Sequence, residues 1–189
     1  MKILALNGSL RTPSRNGAVL RSALALTDAT SATADLAALP HFQPDQDAEG
    51  ATPPAPAAAL RRAVADADAV LIVSPEYAHG VPGVLKNALD WLVSSAELLD
   101  KPTAVLTASP SPTGAAYAHE QLRETLRTMS AAVVPDACRD LAAIGPKTDP
   151  ATGTVTDPAT LQDLRTALAA LTEAAVRPAQ SPNSRRAFP

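Results

Sequence analysis

Three short stretches of this 189-residue chain carry residue types that could work together on one ligand. The first, Asn7-Gly8-Ser9-Leu10-Arg11-Thr12-Pro13-Ser14-Arg15-Asn16-Gly17, sets the hydroxyls of Ser9, Thr12 and Ser14 beside the guanidinium of Arg11, just ahead of a helix start. Hydroxyls, a guanidinium and the unpaired N–H groups of a helix N-terminus suit a phosphate, and the helix dipole adds attraction for the anion. A plainer reading has Ser14 capping the helix and Arg11 in solvent. The stretch lacks both G-x-G-x-x-G and the G-K-[ST] ending of a Walker loop, so it suits one terminal phosphate rather than a pyrophosphate. The second stretch runs from Pro75 through Glu76, Tyr77, Ala78 and His79 to Gly80. Tyr77 is placed to lie against a planar ligand, with the backbone amides from Ala78 to Gly80 addressing its polar edge. Gly80 and Gly83 allow close backbone approach, although Tyr77 equally suits packing or an interface. The third stretch, Ser109 to Gly114, has the small and hydroxyl residues that would rim a flat ring. No acid–base pair or placed nucleophile accompanies them, so no residue is assigned a catalytic role in proton transfer.

Each stretch follows an apolar run that reads as a buried strand. Lys2 to Leu6 leads into the first, Ala69 to Val73 into the second and Thr103 to Thr107 into the third. A helix is expected from about Ser14, with Leu20, Ala23 and Leu24 on one face, and another over Pro82 to Val93, where Leu85, Leu89 and Leu92 recur at helical spacing. Pro82 suits the first helical position. Thr33 to Leu36 reads as a weak second strand, 40–56 as a loop long enough to imply a functional reason, and Leu60 to Ala67 as a helix. Ala115 to Met129 gives a further helix and Ala132 to Val134 a fifth strand. A Gly- and Pro-rich connection, Gly145 to Pro158, precedes an amphipathic helix carrying Leu161, Leu164, Leu168 and Leu171. Strands alternating with helices imply an α/β fold, a parallel sheet covered on both faces. One domain over 1–176 is expected, with a disordered tail over 177–189. Ligands of such sheets lie at the carboxyl ends of the strands, where all three stretches fall.

Bulk properties narrow the field. Sixteen Lys and Arg against 19 Asp and Glu give a net charge of −3, with no basic cluster to support nucleic-acid binding. The single cysteine, Cys138, excludes an internal disulfide and fits a reducing compartment, with a buried packing role. His41, His79 and His119 lack metal-ligand spacing, so no metal is expected. No signal peptide and no apolar run of membrane-span length is present, which points to a soluble cytoplasmic protein.

Gly8-Ser9-Leu10-Arg11 with Ser14 and Asn16, Pro75-Glu76-Tyr77, and Pro82-Gly83-Val84-Leu85-Lys86-Asn87-Ala88-Leu89-Asp90-Trp91 resemble the NADPH-dependent FMN reductases, flavodoxin-like flavoproteins that include quinone, azo-dye and chromate reductases. The resemblance implies a three-layer sandwich with a five-stranded parallel sheet in the order 2-1-3-4-5. It implies FMN held at its phosphate by Ser9, Arg11, Ser14 and Asn16. The ring would lie against Pro75, Glu76, Tyr77 and the backbone of Ala78, His79 and Gly80, with Ser109 and Gly114 at its other edge. NADPH or NADH would deliver hydride to the flavin and a small acceptor would collect it; Arg15, Arg61 and Arg62 are candidates for a 2′-phosphate. A homodimer or homotetramer is implied, with the helix of Lys86, Asn87 and Trp91 near the subunit contact. Two positions depart from the family pattern: Ala78 stands where Asn is frequent, and Ala115 follows Gly114 where a second glycine is frequent. Rival readings are an electron-transfer flavoprotein serving a protein partner, a hydrolase using Ser9 or Ser74, and a flavin-free regulatory subunit.

Overall fold

A computed structural model describes residues 1–177. Its elements in chain order are β1 (Lys2–Asn7), α1 (Arg15–Leu24), β2 (Thr30–Thr33), α2 (Ala55–Ala65), β3 (Ala69–Ser74), α3 (Gly83–Asp90) and β4 (Pro102–Ala108). There follow α4 (Ala116–Thr128), β5 (Ala132–Val133), β6 (Arg139–Leu141), β7 (Thr148–Asp149), β8 (Thr154–Val155) and α5 (Pro158–Val176). The parallel sheet has the order β2-β1-β3-β4-β5, with β6 also pairing β4. The flavodoxin-like order 2-1-3-4-5 therefore holds. Apart from Arg177, the tail expected over 177–189 lies outside the described residues.

Alternation along the three central strands divides the interior in two, because successive side chains point to opposite faces. Ile3, Ala5, Leu71, Val73, Ala104 and Leu106 pack against α1 and α5. Leu4, Leu6, Val70, Ile72 and Val105 pack against α2, α3 and α4. Both faces being covered explains why these strands read as unbroken apolar runs.

Two strands differ from expectation. The second lies at Thr30–Thr33, not Thr33 to Leu36; all four of its residues are exposed at the sheet edge, so no apolar pattern marks it. Leu36 instead sits buried in a short 3-10 turn, capped by Asp35, whose carboxylate accepts from the Ala37 N–H. The fifth strand is interrupted. Pro135, lacking an N–H, opens a 3-10 turn over Pro135–Ala137, and the chain rejoins the same edge as β6. The connection after Gly145 holds an unforeseen antiparallel hairpin, β7–β8. Pro82 is the residue preceding α3 rather than its first helical one.

The long 40–56 loop has a packing reason. Asn87 Nδ2 and Trp91 Nε1 both donate to the Pro40 carbonyl, at 3.0 and 2.9 Å, while the Phe42 N–H donates to Asn87 Oδ1 at 2.8 Å. The Phe42 ring meets fully buried Trp91 edge-on, centroids 5.1 Å apart. Farther along, Asp47 accepts from Arg61 at 2.5 Å and from Ser94 at 2.6 Å, and Arg61 Nε donates to the Trp91 carbonyl at 2.8 Å. Asn87, Trp91 and Arg61 thus hold the loop within this chain.

Burial alone would raise the Asp47 carboxyl, but the hydrogen bonds from Ser94 and Arg61 and the Arg61 charge hold it below the ordinary carboxylate value. A carboxyl depressed in the folded state stabilises above its unfolded pKa, and that contribution disappears as pH falls through the folded value. Thermal unfolding followed from pH 7 down to pH 3 should show the wild type losing stability relative to Asp47→Asn as acid is added. A constant difference between the two across that range would refute the assignment.

Candidate functional site

The loop after β1 is built around one hydroxyl. Ser14, extended at φ −123°, caps α1 by accepting from the Gly17 N–H at 3.2 Å, and its own hydroxyl donates to Ser9 Oγ at 2.9 Å. Ser9 Oγ also accepts from the Arg11 N–H at 3.4 Å. The Ser14 proton is thus spent on Ser9, and the Ser9 hydroxyl is the one left with a proton to donate. Asn16, 6 % exposed, donates through Nδ2 to the Ala108 carbonyl at 3.2 Å, which ties this loop to the end of β4. Its Oδ1 is enclosed and has no hydrogen-bond partner among the described residues. An enclosed acceptor left unpaired is costly and rare in folded proteins, so this oxygen marks where a donor from a bound molecule belongs.

In the second loop Glu76 does structural work. Its Oε2 accepts from the Ala118 N–H at 2.9 Å, the third residue of α4. The residue before that helix, Ala115, has no side chain with which to cap it, and a carboxylate at a helix N-terminus also complements the dipole. Beyond it, Tyr77 and Gly80 exchange both backbone hydrogen bonds, at 3.1 and 3.0 Å. Ala78 and His79 between them sit at φ 49° and 57°, in the left-handed region. This is a type I′ arrangement made without Gly or Asn at its centre, a strained choice that the surroundings must hold. They do so from α4: the His79 ring stacks on Tyr117 at 4.4 Å, and the His79 carbonyl accepts from Gln121 Nε2 at 3.2 Å.

The third loop is organised from beneath by Asp140. Its Oδ1 accepts from the Ala115 N–H at 2.8 Å and from the Thr107 hydroxyl at 3.0 Å. Gly114, at φ 73°, lies so near this carboxylate that a Cβ would fall 2.3 Å from Oδ2. Because the single Thr107 proton goes to Asp140, the Thr107 oxygen accepts from Nδ1–H of His119, 3.1 Å away. Burial pushes the His119 imidazolium down, the Arg123 charge pushes it further, and Asp140 opposes both. Ser109 Oγ accepts from the Ser111 N–H at 3.1 Å, a local turn.

These loops meet at one cleft of about 440 Å³, within the range of small-molecule sites. Ser9, Arg11, Ser14 and Asn16 line one part; Pro75, Glu76, Tyr77 and Ser109 line another. Ala78, His79, Gly80 and Gly114 do not line it: the first three form the turn held by α4, and Gly114 lies against Asp140. Residues that sequence reasoning missed also face the cleft, notably Arg21 from α1 and Thr148 and Asp149 from the hairpin. Two-residue strands in a polar connection leave no periodic signal by which they could have been found. Arg11, Arg15 and Arg21 all line the cleft, and none of the three forms an ion pair among the described residues.

Other chemistries find little support. The described residues contain no group of His, Cys, Asp and Glu fit to hold a metal ion, and no helix among them is long and apolar enough to cross a membrane. Ser74 Oγ donates to the Pro75 carbonyl and Ser9 Oγ is engaged with Ser14, so neither serine has a histidine partner. Cys138 is 8 % exposed, and burial raises its thiol pKa, which keeps it un-ionised and unreactive.

The geometry agrees with comparisons to known proteins. The family model for NADPH-dependent FMN reductase matches residues 1–142. A quinone reductase of Escherichia coli K12 is 37 % identical over 179 residues, covering 92 % of this chain and 94 % of that protein. An NAD(P)H-dependent FMN reductase of Pseudomonas aeruginosa is 39 % identical over 130 residues, 67 % of this chain and 69 % of its own. Among solved structures, the flavoenzyme NAD(P)H:(acceptor) oxidoreductase FerB of Paracoccus denitrificans superposes with a TM-score of 0.78 at 27 % identity, covering 92 % of this chain and 96 % of its own. With the three loops assembled at the carboxyl ends of a 2-1-3-4-5 sheet, the chain belongs to the NADPH-dependent FMN reductase family.

Proposed function

We propose that this protein is an oxidoreductase that holds FMN in the cleft and passes electrons from NADPH or NADH to a small acceptor, such as a quinone, free FMN, an azo dye or a metal oxyanion. One observation carries the reading: a single cleft brings together Arg11, Arg15 and Arg21, none in an ion pair among the described residues, the hydroxyls of Ser9 and Ser14, and Pro75 and Tyr77. A flavin mononucleotide has a complementary layout, with an anion at one end and a planar ring at the other. Ser9, Ser14 and Arg11 would bind the phosphate; Asn16, whose Nδ2 is spent on the Ala108 carbonyl, offers only the acceptor Oδ1 and would meet a donor of the ligand instead. Pro75, Glu76 and Tyr77 would take the ring, with Ser109 at its far edge. Ala78, His79, Gly80 and Gly114 serve this site by shaping the loops rather than by lining the cleft.

Bound FMN supplies reversible two-electron chemistry, so the chain itself need only anchor, orient and exclude water. The Glu76 bond to Ala118 N–H and the Asp140 bond to Ala115 N–H fix the two ring-facing loops to the same helix end, which reduces the reorganisation needed on binding. Arg61 is committed to Asp47, so of the three candidate partners for a 2′-phosphate Arg15, which lines the cleft, is the better placed. The expected homo-oligomer contact is assigned to the side of α3 and α4 where Val93 and Leu99 stand 59 % and 54 % exposed. A monomeric mass in sedimentation at micromolar concentration would remove that assignment.

Purified protein should be yellow, should bleach on anaerobic addition of NADPH or NADH, and should regain its colour with a quinone. Colourless protein that FMN cannot reconstitute would refute the main reading. Bleaching that only a protein partner reverses would favour electron transfer between proteins instead. Arg11→Ala removes a charge-assisted contact and should weaken FMN binding by about 10- to 100-fold, more than it alters turnover at saturating FMN. Unchanged FMN affinity in that variant would overturn the phosphate assignment.

A further inference from the structure

The family model ends at residue 142, yet the hairpin that follows faces the same cleft. Thr148, Asp149, Pro150 and Gly153 all line it, together with Ser9 and Arg11. The hairpin is fastened to α1, the helix that carries the phosphate-type loop at its N-terminus. Arg21 Nη2 donates to the Gly153 carbonyl at 2.5 Å, and buried Ser22 accepts from the Val155 N–H at 2.8 Å. Gly153, at φ 66°, admits the Arg21 guanidinium so closely that a Cβ there would lie 2.5 Å from Nη2. A wall held this way keeps its distance from Ser9, Ser14 and Asn16, since loop and wall are attached to one helix.

The wall is polar in a particular sense. Asp149 accepts from the Ala151 N–H at 2.8 Å through Oδ1 and from the Thr152 hydroxyl at 2.9 Å through Oδ2. A carboxylate accepts about four hydrogen bonds, so each oxygen retains capacity. The Ala151 and Thr152 bonds hold the Asp149 carboxyl below its ordinary value, which leaves it an anion and an acceptor only. Such a group accepts from hydroxyl donors.

We propose that the β7–β8 hairpin is a sugar-binding wall, in which Asp149 and Thr148 hydrogen-bond the polyhydroxylated ribityl chain of the flavin while Arg21 and Ser22 act as positioning residues. The proposal rests on the FMN reading above. The cleft then offers a group for each part of the ligand: Arg11 for the phosphate, a carboxylate and a hydroxyl for the polyol, and Pro75 and Tyr77 for the ring.

Three flavins separate the parts: lumiflavin, with no ribityl chain; riboflavin, with the chain and no phosphate; and FMN, with both. Their dissociation constants are measured by flavin fluorescence quenching on flavin-free protein. Asp149→Ala should weaken riboflavin and FMN by the same factor, about tenfold for one charge-assisted hydrogen bond, and leave lumiflavin within about twofold. Ser22→Ala, which touches no ligand, should show the same pattern at about threefold. An equal loss for all three flavins in either variant means a general structural role and overturns the proposal. So does unchanged binding of all three in both variants, and that result leaves the FMN reading standing. A wild-type protein that binds none of the three overturns the FMN reading and the wall together.

Discussion

Asn7, Ser74 and Ala108 end three parallel strands at the same edge of the sheet, and most of the site follows from that alignment. The ladder pairs Asn7 with Val73, Ser74 with Thr107 and Ala108 with Leu141. Parallel register leaves little freedom here, because a one-residue slip in β3 would turn Leu71 and Val73 from one core to the other. With the register held by burial on both faces, three loops leave the sheet side by side, and contacts such as Asn16 to Ala108 across 92 residues of chain become unavoidable neighbours. The cationic loop, the Tyr77 turn and the Ser109 segment are adjacent for this reason.

Carboxylates complete what the register begins. Glu76 caps α4 from the second loop, Asp140 supports the third loop and the same helix end from β6, and Asp47 anchors the long 40–56 segment through Arg61 and Ser94. In each case an acidic side chain satisfies donors that the local backbone or a neighbouring residue could not satisfy itself. Ala115 cannot cap α4, so Glu76 does, and the loop bearing Glu76 is thereby tied to the start of α4. Motif residues that look like ligand contacts in isolation are here partly the framework that holds the contacts in place. Asn87 and Trp91, which the resemblance placed near a subunit contact, are likewise committed within this chain to the Pro40 carbonyl.

The strained turn at Ala78 and His79 shows how a tertiary contact can rescue an unfavourable local choice. Neither residue favours the left-handed region, yet His79 stacks on Tyr117 and its carbonyl is held by Gln121. An Asn at position 78 would make the turn locally easier. The chain reaches the same geometry through α4, which explains how the departure at Ala78 leaves the loop intact.

The continuous apolar runs at β1, β3 and β4 and the 3.6-residue spacing of Leu in α3 and α5 made the layers legible, because burial on both sheet faces and on one helix stripe imposes periodic patterns that a sequence must display. The Ser9, Arg11 and Ser14 cluster was legible for a similar reason: a helix N-terminus and a phosphate both select those side chains. The exposed edge strand Thr30–Thr33, the rejoining strand β6 and the hairpin at Thr148–Val155 were not, since two- to four-residue strands held by backbone bonds impose no periodicity. By itself the sequence determined the α/β architecture, the cationic loop and the Pro75 to Tyr77 segment, all governed by local pattern and burial. Only the tertiary structure decided that Arg21, Thr148 and Asp149 share the cleft, that Gly114 answers to Asp140, and that Asn87 and Trp91 anchor a loop. Those pairings join residues from about 25 to more than 130 positions apart, and their partners are chosen by packing rather than by neighbours in the chain.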